Sequence, residues 1–290
     1  MFYEIGIDAW AEHTKLLECV KRKGGIWVFR GQENASWALS TRIERDAARY
    51  DCTSYFIPNR ERIILREFQR RAHHFEPKLP DLSNSVEWLS FLQHHGGSTR
   101  LLDFTDSFYV AAFFAMETSI VDSAIWAVNI NKLLKSRKVT GLNVESLRYR
   151  AMVEHHKAIA NRCIEATEHG EDLVLVIDPL LQHERLWIQQ GSFLFPCNRE
   201  SSFEKNLCAT FGLDFESLVS GNATKIDVTA LENLDFSAVS ILKIIIPKTS
   251  HPKALYDLRD MNMTPGTLFP GLDGFARSLN LLMRRFEEFF

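Results

Sequence analysis

The sequence lacks the features that would place it in a membrane or in a disulfide-bonded secreted class. No apolar run reaches the roughly 18 residues that a membrane-spanning helix needs. The opening residues, MFYEIGIDAWAEH, have no basic region followed by an apolar core, so they do not resemble a secretory signal. The five cysteines are odd in number and none is paired at metal-ligand spacing, which favours free thiols in a reducing compartment. We therefore expect a soluble, cytoplasmic protein with no membrane association.

The motifs of several common enzyme classes are missing as well. There is no Gly-rich Walker loop and no G-x-G-x-x-G, which removes support for the standard nucleotide folds. There is also no G-x-S-x-G elbow of the kind that α/β-hydrolases use. Histidines occur as adjacent pairs, such as His94 with His95, and adjacent side chains on a helix point apart. Such pairs chelate poorly, so we expect no metal site.

Charge and composition set the scale of the fold. The formal net charge is -3, so there is no general basic field for nucleic acid, although a local patch could suffice for binding. Basic runs such as residues 60–71 are interpreted as solvated helix faces. Because we find no internal repeat and no low-complexity linker, we expect one domain over residues 1–290. Short strands scattered among helices predict an α+β fold with small mixed or antiparallel sheets and helical insertions.

The most informative stretch is residues 93–116, QHHGGSTRLLDFTDSFYVAAFFAM. It predicts a short strand over residues 99–103 and then a helix that Ser107 or Asp106 caps. The body of that helix is apolar all round, so it must be buried. Three polar side chains stand at the edge of this core element: Arg100, Asp103 and Thr105. They either form a site or simply hold the entry of the helix by pairing with each other or with a loop.

A second candidate lies upstream, where IWVFR at residues 26–30 predicts a strand that ends in a charge. Arg30 is held there by apolar neighbours, and a charged group at such a place is costly unless something pairs with it. Gly31 marks an expected turn and, lacking a Cβ, leaves room for a ligand close to the backbone. The alternative is a structural arginine that stacks near Trp27 and Trp37.

Three blocks of the sequence together resemble one known family. Phe-Arg-Gly-Gln, within residues 26–32, resembles the motif that names the FRG domain family, and residues 93–116 resemble its core signature. Residues 265–276, which contain TLFPGLDG, resemble its closing motif, where Pro and Gly at turn positions favour a rigid structural turn. The chain therefore resembles the FRG domain family over nearly its whole length.

These blocks are also similar to the ADP-ribosyltransferases of the Arg-Ser-Glu class, which implies an ADP-ribosyltransferase-like core and NAD as the substrate. The first motif of that class is an Arg-Gly pair on a strand, where residues 29–31 stand here. The second is a Ser/Thr-rich strand end before an Ala-x-x-Phe-Ala helix, where residues 105–107 and 111–115 stand. The third is a strand that bears a glutamate, and residues 186–196 have glutamine where glutamate is expected.

The resemblance implies roles for individual residues. The expected catalytic residues are Arg30, Asp103, Thr105 and Gln190. The expected cofactor-binding residues are Arg30, Gly31, Gln32, His94, Arg100, Thr105, Ser107 and Gln189. Arginine can fork onto phosphate or ribose oxygens, and a hydroxyl can hold the ribose or the nicotinamide amide. Because glutamine carries no charge for the oxocarbenium-like transition state, either the activity is low or another carboxylate acts, and we favour Asp103 over Glu184.

Three hypotheses of function follow. The first is an NAD-dependent ADP-ribosyltransferase-like enzyme, with a toxin or an antiviral defence effector as its biological role. The second is a catalytically silent module that binds a nucleotide or a partner protein, and the third is a nucleic-acid-directed transferase or binder. The first hypothesis requires Arg30, Arg100 or Asp103, Thr105 and Gln190 to line one cleft. The acceptor, protein or nucleic acid, is not identified by the sequence.

Overall fold

The computed structural model describes residues 1–23, 25–53, 56–136, 148–166, 170–180, 182–219 and 224–280. In this part of the chain eight strands form one sheet: β1 (Phe2–Gly6), β2 (Trp27–Gln32), β3 (Leu102–Thr105), β4 (Ser123–Asn129), β5 (Val174–Ile177), β6 (Gly191–Pro196), β7 (Thr224–Ile226) and β8 (Ile241–Ile246). Within the same residues the α-helices are α1 (His13–Lys23), α2 (Arg42–Arg49), α3 (Ile57–Arg71), α4 (Ser85–His94), α5 (Phe108–Met116), α6 (Ile130–Leu134), α7 (Tyr149–Glu165), α8 (Glu184–Ile188), α9 (Phe203–Phe211), α10 (Phe215–Val219), α11 (His251–Asp260), α12 (Pro265–Leu268) and α13 (Leu272–Leu279). None of these helices combines the length and the apolar character that a bilayer crossing requires.

The sheet has the strand order β5-β6-β3-β2-β4-β8-β1-β7. β1 runs parallel to both of its neighbours, whereas the other neighbouring strands are antiparallel. The fold is therefore a mixed α/β arrangement on one wide sheet, and the expectation of several small sheets was wrong. The reason is that strands from opposite ends of the chain pair, as β1 and β8 do, and no local pattern reports such a partnership.

Helices pack on both faces of the sheet, so both faces are buried. Along β2, Trp27 and Phe29 enter one core with α1, α5 and α11, while Val28 enters a second core with α6, α7 and α9. Along β4, Ile125 and Trp126 divide between the two cores in the same way. Successive side chains of a strand point to opposite faces, so a continuous apolar strand needs a helical layer on each side.

α5 packs against β2, near the middle of the sheet. Seven of its nine residues are buried, which confirms the burial predicted from its uniformly apolar sequence. The hydroxyl oxygen of Ser107 accepts a hydrogen bond from the backbone N–H of Val110 at 3.3 Å, so Ser107 is the N-cap. The helix packs against three strands, β2, β3 and β4, and so fixes their position relative to it.

The turn expected at Gly31 is absent, because β2 continues through Gly31 to Gln32 and pairs with β4 along its length. A Cβ atom on Gly31 would lie 2.0 Å from the carbonyl oxygen of Ala111 and 2.6 Å from the backbone nitrogen of Ala115. The space that a side chain at Gly31 would occupy is therefore filled by α5. Glycine is needed here because the helix approaches the strand so closely.

A buried histidine predicts how stability depends on pH. His156 on α7 is 0% exposed, and its Nδ1 accepts a hydrogen bond from the backbone N–H of Val176 at 3.0 Å. Burial lowers the pKa of His156 from its ordinary value near 6.5 to about 4. Between about pH 6.5 and 4, His156 is therefore protonated in the unfolded chain and neutral in the folded chain. The free energy of unfolding falls as the pH falls through this range.

We expect this histidine to make the free energy of unfolding about 2 kcal/mol smaller at pH 5 than at pH 7.5. Urea unfolding at the two pH values measures the difference. His156→Gln is the comparison, because its amide oxygen can still accept the Val176 hydrogen bond but does not titrate. An equal loss of stability in both proteins on acidification would show that His156 is not the group responsible.

Candidate functional site

A cleft of about 880 Å³ opens beside the point where β2 and β3 meet. The two strands pair through Phe29 and Thr105, and both of these residues line the cleft. Further wall residues come from the loop after β2, from α2, from the end of α4, from α5 and from α8. The volume lies within the range of small-molecule and cofactor sites, roughly 300–1,000 Å³. The sequence-predicted residues that line it are Arg30, Gly31, Gln32, His94, Asp103, Thr105 and Gln189.

Arg30 has a structural role and also places a positive charge at the cleft. Its Nη1 donates a hydrogen bond at 2.8 Å to the main-chain carbonyl oxygen of Asp103, which ties β2 to β3. The same Nη1 lies 4.0 Å from the Asp103 carboxylate, and the Arg30 side chain is 19% exposed. Its buried Nε has no hydrogen-bond partner among the described residues. The structural and the functional interpretations of Arg30 are therefore compatible.

Asp103 presents its carboxylate to the cleft because of the alternation of β3. Leu102 and Phe104, on either side of it, are buried in the core on the opposite face. The Asp103 side chain is 63% exposed, and its Oδ1 accepts a hydrogen bond from Nε2 of Gln93 at 2.8 Å. The carboxylate is thus oriented by the end of α4 and remains open to the cleft.

Three guanidinium groups interact with the Asp103 carboxylate. Desolvation lowers the pKa of Arg30, Arg45 and Arg185, and the charge of Asp103 raises the pKa of each. Arg45 also lowers the pKa of Arg30, because two like charges lie near each other. The cleft wall carries four arginines against the two carboxylates of Glu33 and Asp103, and this excess of positive charge favours an anionic ligand.

Thr105 and Gln189 hold the two sides of the cleft together. The Thr105 hydroxyl donates to the main-chain carbonyl oxygen of Gln189 at 2.7 Å and accepts from the backbone N–H of Ser107 at 3.0 Å. The Gln189 side-chain amide donates to the main-chain carbonyl oxygen of Leu268 at 2.9 Å. Both side chains line the cleft, but the Thr105 hydroxyl and the Gln189 amide nitrogen already have protein partners. Their geometry suits a positioning role.

Gln32 is anchored in the same way. Its Nε2 donates to the carbonyl oxygen of Ala38 at 3.0 Å, and its Oε1 accepts from the indole N–H of Trp126 at 2.7 Å. The side chain is 8% exposed. Gln32 therefore fixes the loop that forms one wall of the cleft.

A pair of histidines forms part of the wall. The rings of His94 and His183 lie with their centroids 3.8 Å apart. Burial, with the neighbouring His94, lowers the pKa of His183 to about 4, and burial also lowers the pKa of His94. The Nδ1 of His183 accepts a hydrogen bond from the backbone N–H of Leu186 at 3.1 Å, so His183 caps α8 in its neutral form. The pair adds uncharged, flat surface to a cationic cleft.

Three residues that the sequence placed in the site do not line the cleft. Arg100 is 2% exposed and forms a salt bridge with Glu61 of α3. The hydroxyl of Ser107 caps α5. Gln190 lies at the turn between α8 and β6 with a φ of 49°, and its side chain is exposed while its carbonyl oxygen accepts the Asp106 N–H at 3.0 Å. The predicted grouping of Gln190 with Arg30 was therefore wrong, because the chain turns at that residue.

Four basic residues of the wall were not predicted from the sequence: Arg42, Arg45, His183 and Arg185. A signal existed for the first two, since Thr41 and Glu44 form a capping box that is legible as T-x-x-E, and Arg42 and Arg45 lie one turn apart at the start of the same helix. α8 is too short to show a periodic pattern, so only the tertiary structure brings Arg185 to the cleft.

Phe269, in the segment after α11, packs against the guanidinium group of Arg185. The guanidinium carbon of Arg185 lies 4.5 Å from the ring centroid of Phe269, and that of Arg277 lies 4.4 Å from it. Arg277 in turn donates to both carboxylate oxygens of Glu117. Phe269 thus contacts two guanidinium groups, and this favours the structural role that was expected for residues 265–276.

Residues 25–123 match the family model of the FRG domain. This match confirms the resemblance of residues 26–32 and 93–116 to the FRG domain family. The matched segment runs from β2 to the first residue of β4 and contains Arg30, Asp103 and Thr105. Residues 186–196 and 265–276 lie outside it, so their relation to the family stays a prediction. No curated protein and no solved structure matches the chain.

Proposed function

We propose that the cleft binds NAD and that the protein is an NAD-dependent ADP-ribosyltransferase-like enzyme. The observation that carries this proposal is the convergence of Arg30, Arg45 and Arg185 on the Asp103 carboxylate within one cleft of about 880 Å³. The diphosphate of NAD is an anion whose oxygens suit guanidinium donors. The size and the charge of the cleft both favour such a ligand.

The residues divide into two roles in this proposal. The arginines bind the diphosphate, and Asp103 lies beside the ribose that carries nicotinamide. The bond between ribose C1′ and the nicotinamide nitrogen breaks with its electron pair leaving on nicotinamide, and the ribose becomes oxocarbenium-like. An acceptor group then forms a bond to C1′ and loses its proton. The Asp103 carboxylate stabilises the positive charge that develops on the ribose.

A second function, a catalytically silent nucleotide-binding module, is favoured by the contacts of Thr105 and Gln189. The Thr105 hydroxyl and the Gln189 amide nitrogen both donate to main-chain carbonyl oxygens, so using these two hydrogen bonds to hold the ribose requires a rearrangement. Binding alone needs the arginines, whereas turnover also needs Asp103. Measurements of binding and of nicotinamide release therefore separate the two functions.

Calorimetric titration with NAD tests the proposal, with Arg45→Gln as the variant and Arg49→Gln as its matched control. Arg49 lies on α2 as well, one turn further on, and is exposed outside the cleft wall. We expect Arg45→Gln to weaken NAD binding by about tenfold or more, because a charged hydrogen-bond donor is lost, and Arg49→Gln to leave binding unchanged.

The same samples are then assayed for nicotinamide release. Binding with release supports the enzyme, and binding without release supports the silent module. Circular dichroism of each variant checks that its fold is intact. Failure of the unaltered protein to bind NAD, or equal effects of the two substitutions, would contradict a nucleotide site in this cleft.

A further inference from the structure

Trp37 is an exposed aromatic side chain on the wall of the cleft. Four of the tryptophans, Trp10, Trp27, Trp88 and Trp126, are buried, with exposures between 1% and 5%. Trp37 is 53% exposed and lines the cleft. Isolated exposed apolar residues are common on protein surfaces and need no explanation by themselves. Trp37 differs because it stands at a cleft and because the loop that carries it is fixed.

The loop that carries Trp37 is held by hydrogen bonds from residues before and after it in the sequence. Before it, the backbone N–H of Ala35 donates to the carbonyl oxygen of Asp122 at 2.8 Å. After it, the carbonyl oxygen of Ala38 accepts from Gln32, and the backbone N–H of Leu39 donates to the carboxylate of Glu204 at 2.8 Å. The backbone of such a loop is already ordered, so a ligand that contacts the loop loses little binding energy to ordering it.

The same segment also carries the cations of the cleft. The loop leads directly into α2, where Arg42 and Arg45 line the wall. Arg45 donates a hydrogen bond to the carbonyl oxygen of Ser40, which is three residues after Trp37. An aromatic surface and two guanidiniums therefore belong to one ordered unit. This arrangement matches a ligand in which a flat base lies next to phosphate groups, since bases stack on indole rings and phosphates bind guanidinium groups.

We propose that Trp37 is the stacking surface for the base of the nucleotide whose phosphates meet Arg45. This inference rests on the proposed nucleotide function of the cleft and adds the group that would distinguish nucleotides from other phosphate compounds. Trp37 is a binding residue in this assignment and takes no part in the chemical step.

Titrations with ADP and with inorganic pyrophosphate test the assignment, because the two probes share a diphosphate and differ in the base. We expect Trp37→Leu to weaken ADP binding by about tenfold, within the range for a base on an aromatic side chain, and to leave pyrophosphate binding unchanged. Trp37→Phe should keep most of the ADP affinity. Trp187→Leu is the matched control, since Trp187 is 69% exposed and lies outside the cleft wall, and it should change neither affinity.

The outcomes are distinguishable. Equal weakening of both probes in Trp37→Leu, or unchanged ADP affinity, would overturn the stacking role and leave the anion site standing. If the unaltered protein binds neither ADP nor pyrophosphate, the nucleotide function and the Trp37 assignment are both overturned. Loss of discrimination between ADP and pyrophosphate in Trp37→Leu alone would support the assignment.

Discussion

Asp103→Asn is expected to lower the rate of nicotinamide release by about a thousandfold while NAD binding persists. A carboxylate about 4 Å from the developing positive charge, at an effective dielectric constant near 20, contributes about 4 kcal/mol. That energy corresponds to about a thousandfold in rate. Asparagine keeps an oxygen that can accept the hydrogen bond from Gln93, so the local structure should be retained. Removal of a negative charge beside three guanidiniums should leave the affinity for the diphosphate unchanged or slightly higher.

Single-turnover release of nicotinamide, together with calorimetry, measures the two effects separately. Glu33→Gln is the matched control, because Glu33 also lines the cleft and its carboxylate accepts a hydrogen bond from the Thr118 hydroxyl. We expect that control to change neither quantity by more than about twofold, since Glu33 has no assigned role at the ribose and water screens a partly exposed carboxylate. Equal losses of rate and affinity in Asp103→Asn would mean that Asp103 supports binding or the fold and does not act in the transition state.

Glu61→Ala is expected to lower the free energy of unfolding by about 3–5 kcal/mol, because it leaves a buried arginine without its counter-charge. The side chains of Arg100 and Glu61 are 3% and 2% exposed, and the Nε of Arg100 donates to Glu61 at 2.7 Å. Arg100 directly precedes Leu101 and β3, so the pair connects α3 to the strand that carries Asp103. Its guanidinium also lies 4.8 Å from the ring centroid of Phe195.

Urea unfolding monitored by circular dichroism measures this loss. Glu67→Ala is the matched control on the same helix, since Glu67 pairs with Arg70 and Arg71 at the surface, where solvent screens the charges and the loss should be small. Replacing both partners, as in Glu61→Leu with Arg100→Met, should recover much of the stability because no unpaired charge remains. A cost below about 1 kcal/mol for Glu61→Ala would show that Arg100 finds another partner or water.

Several elements could be predicted from the sequence because their cause is local. The apolar run of α5 is present as predicted, Ser107 is one of the two caps predicted for it, and α9 (Phe203–Phe211) ends before Gly212. Gly212 has a φ of 64°, the left-handed conformation that ends many helices. Periodicity, caps and terminal glycines act within a few residues, so one sequence suffices to find them.

Other elements could not be predicted because their cause is a distant partner. β1 and β7 are short, and their pairing depends on each other and on β8. Within the basic run at residues 60–71, Glu61 is buried, although the run was interpreted as a solvated face. Burial of that carboxylate depends on Arg100, which a helical pattern does not reveal.

The candidate site divides along the same line. The sequence by itself determined that Arg30, Asp103 and Thr105 are polar groups at the edge of core elements, because apolar neighbours on each strand fix where those residues must lie. Only the tertiary structure decided that Arg45 and Arg185 join them at Asp103, that Arg100 belongs to the core with Glu61, and that Gln190 lies at a turn. The physical reason is that alternation along a strand is set by its own residues, whereas the charges that surround a carboxylate come from whichever elements pack beside it.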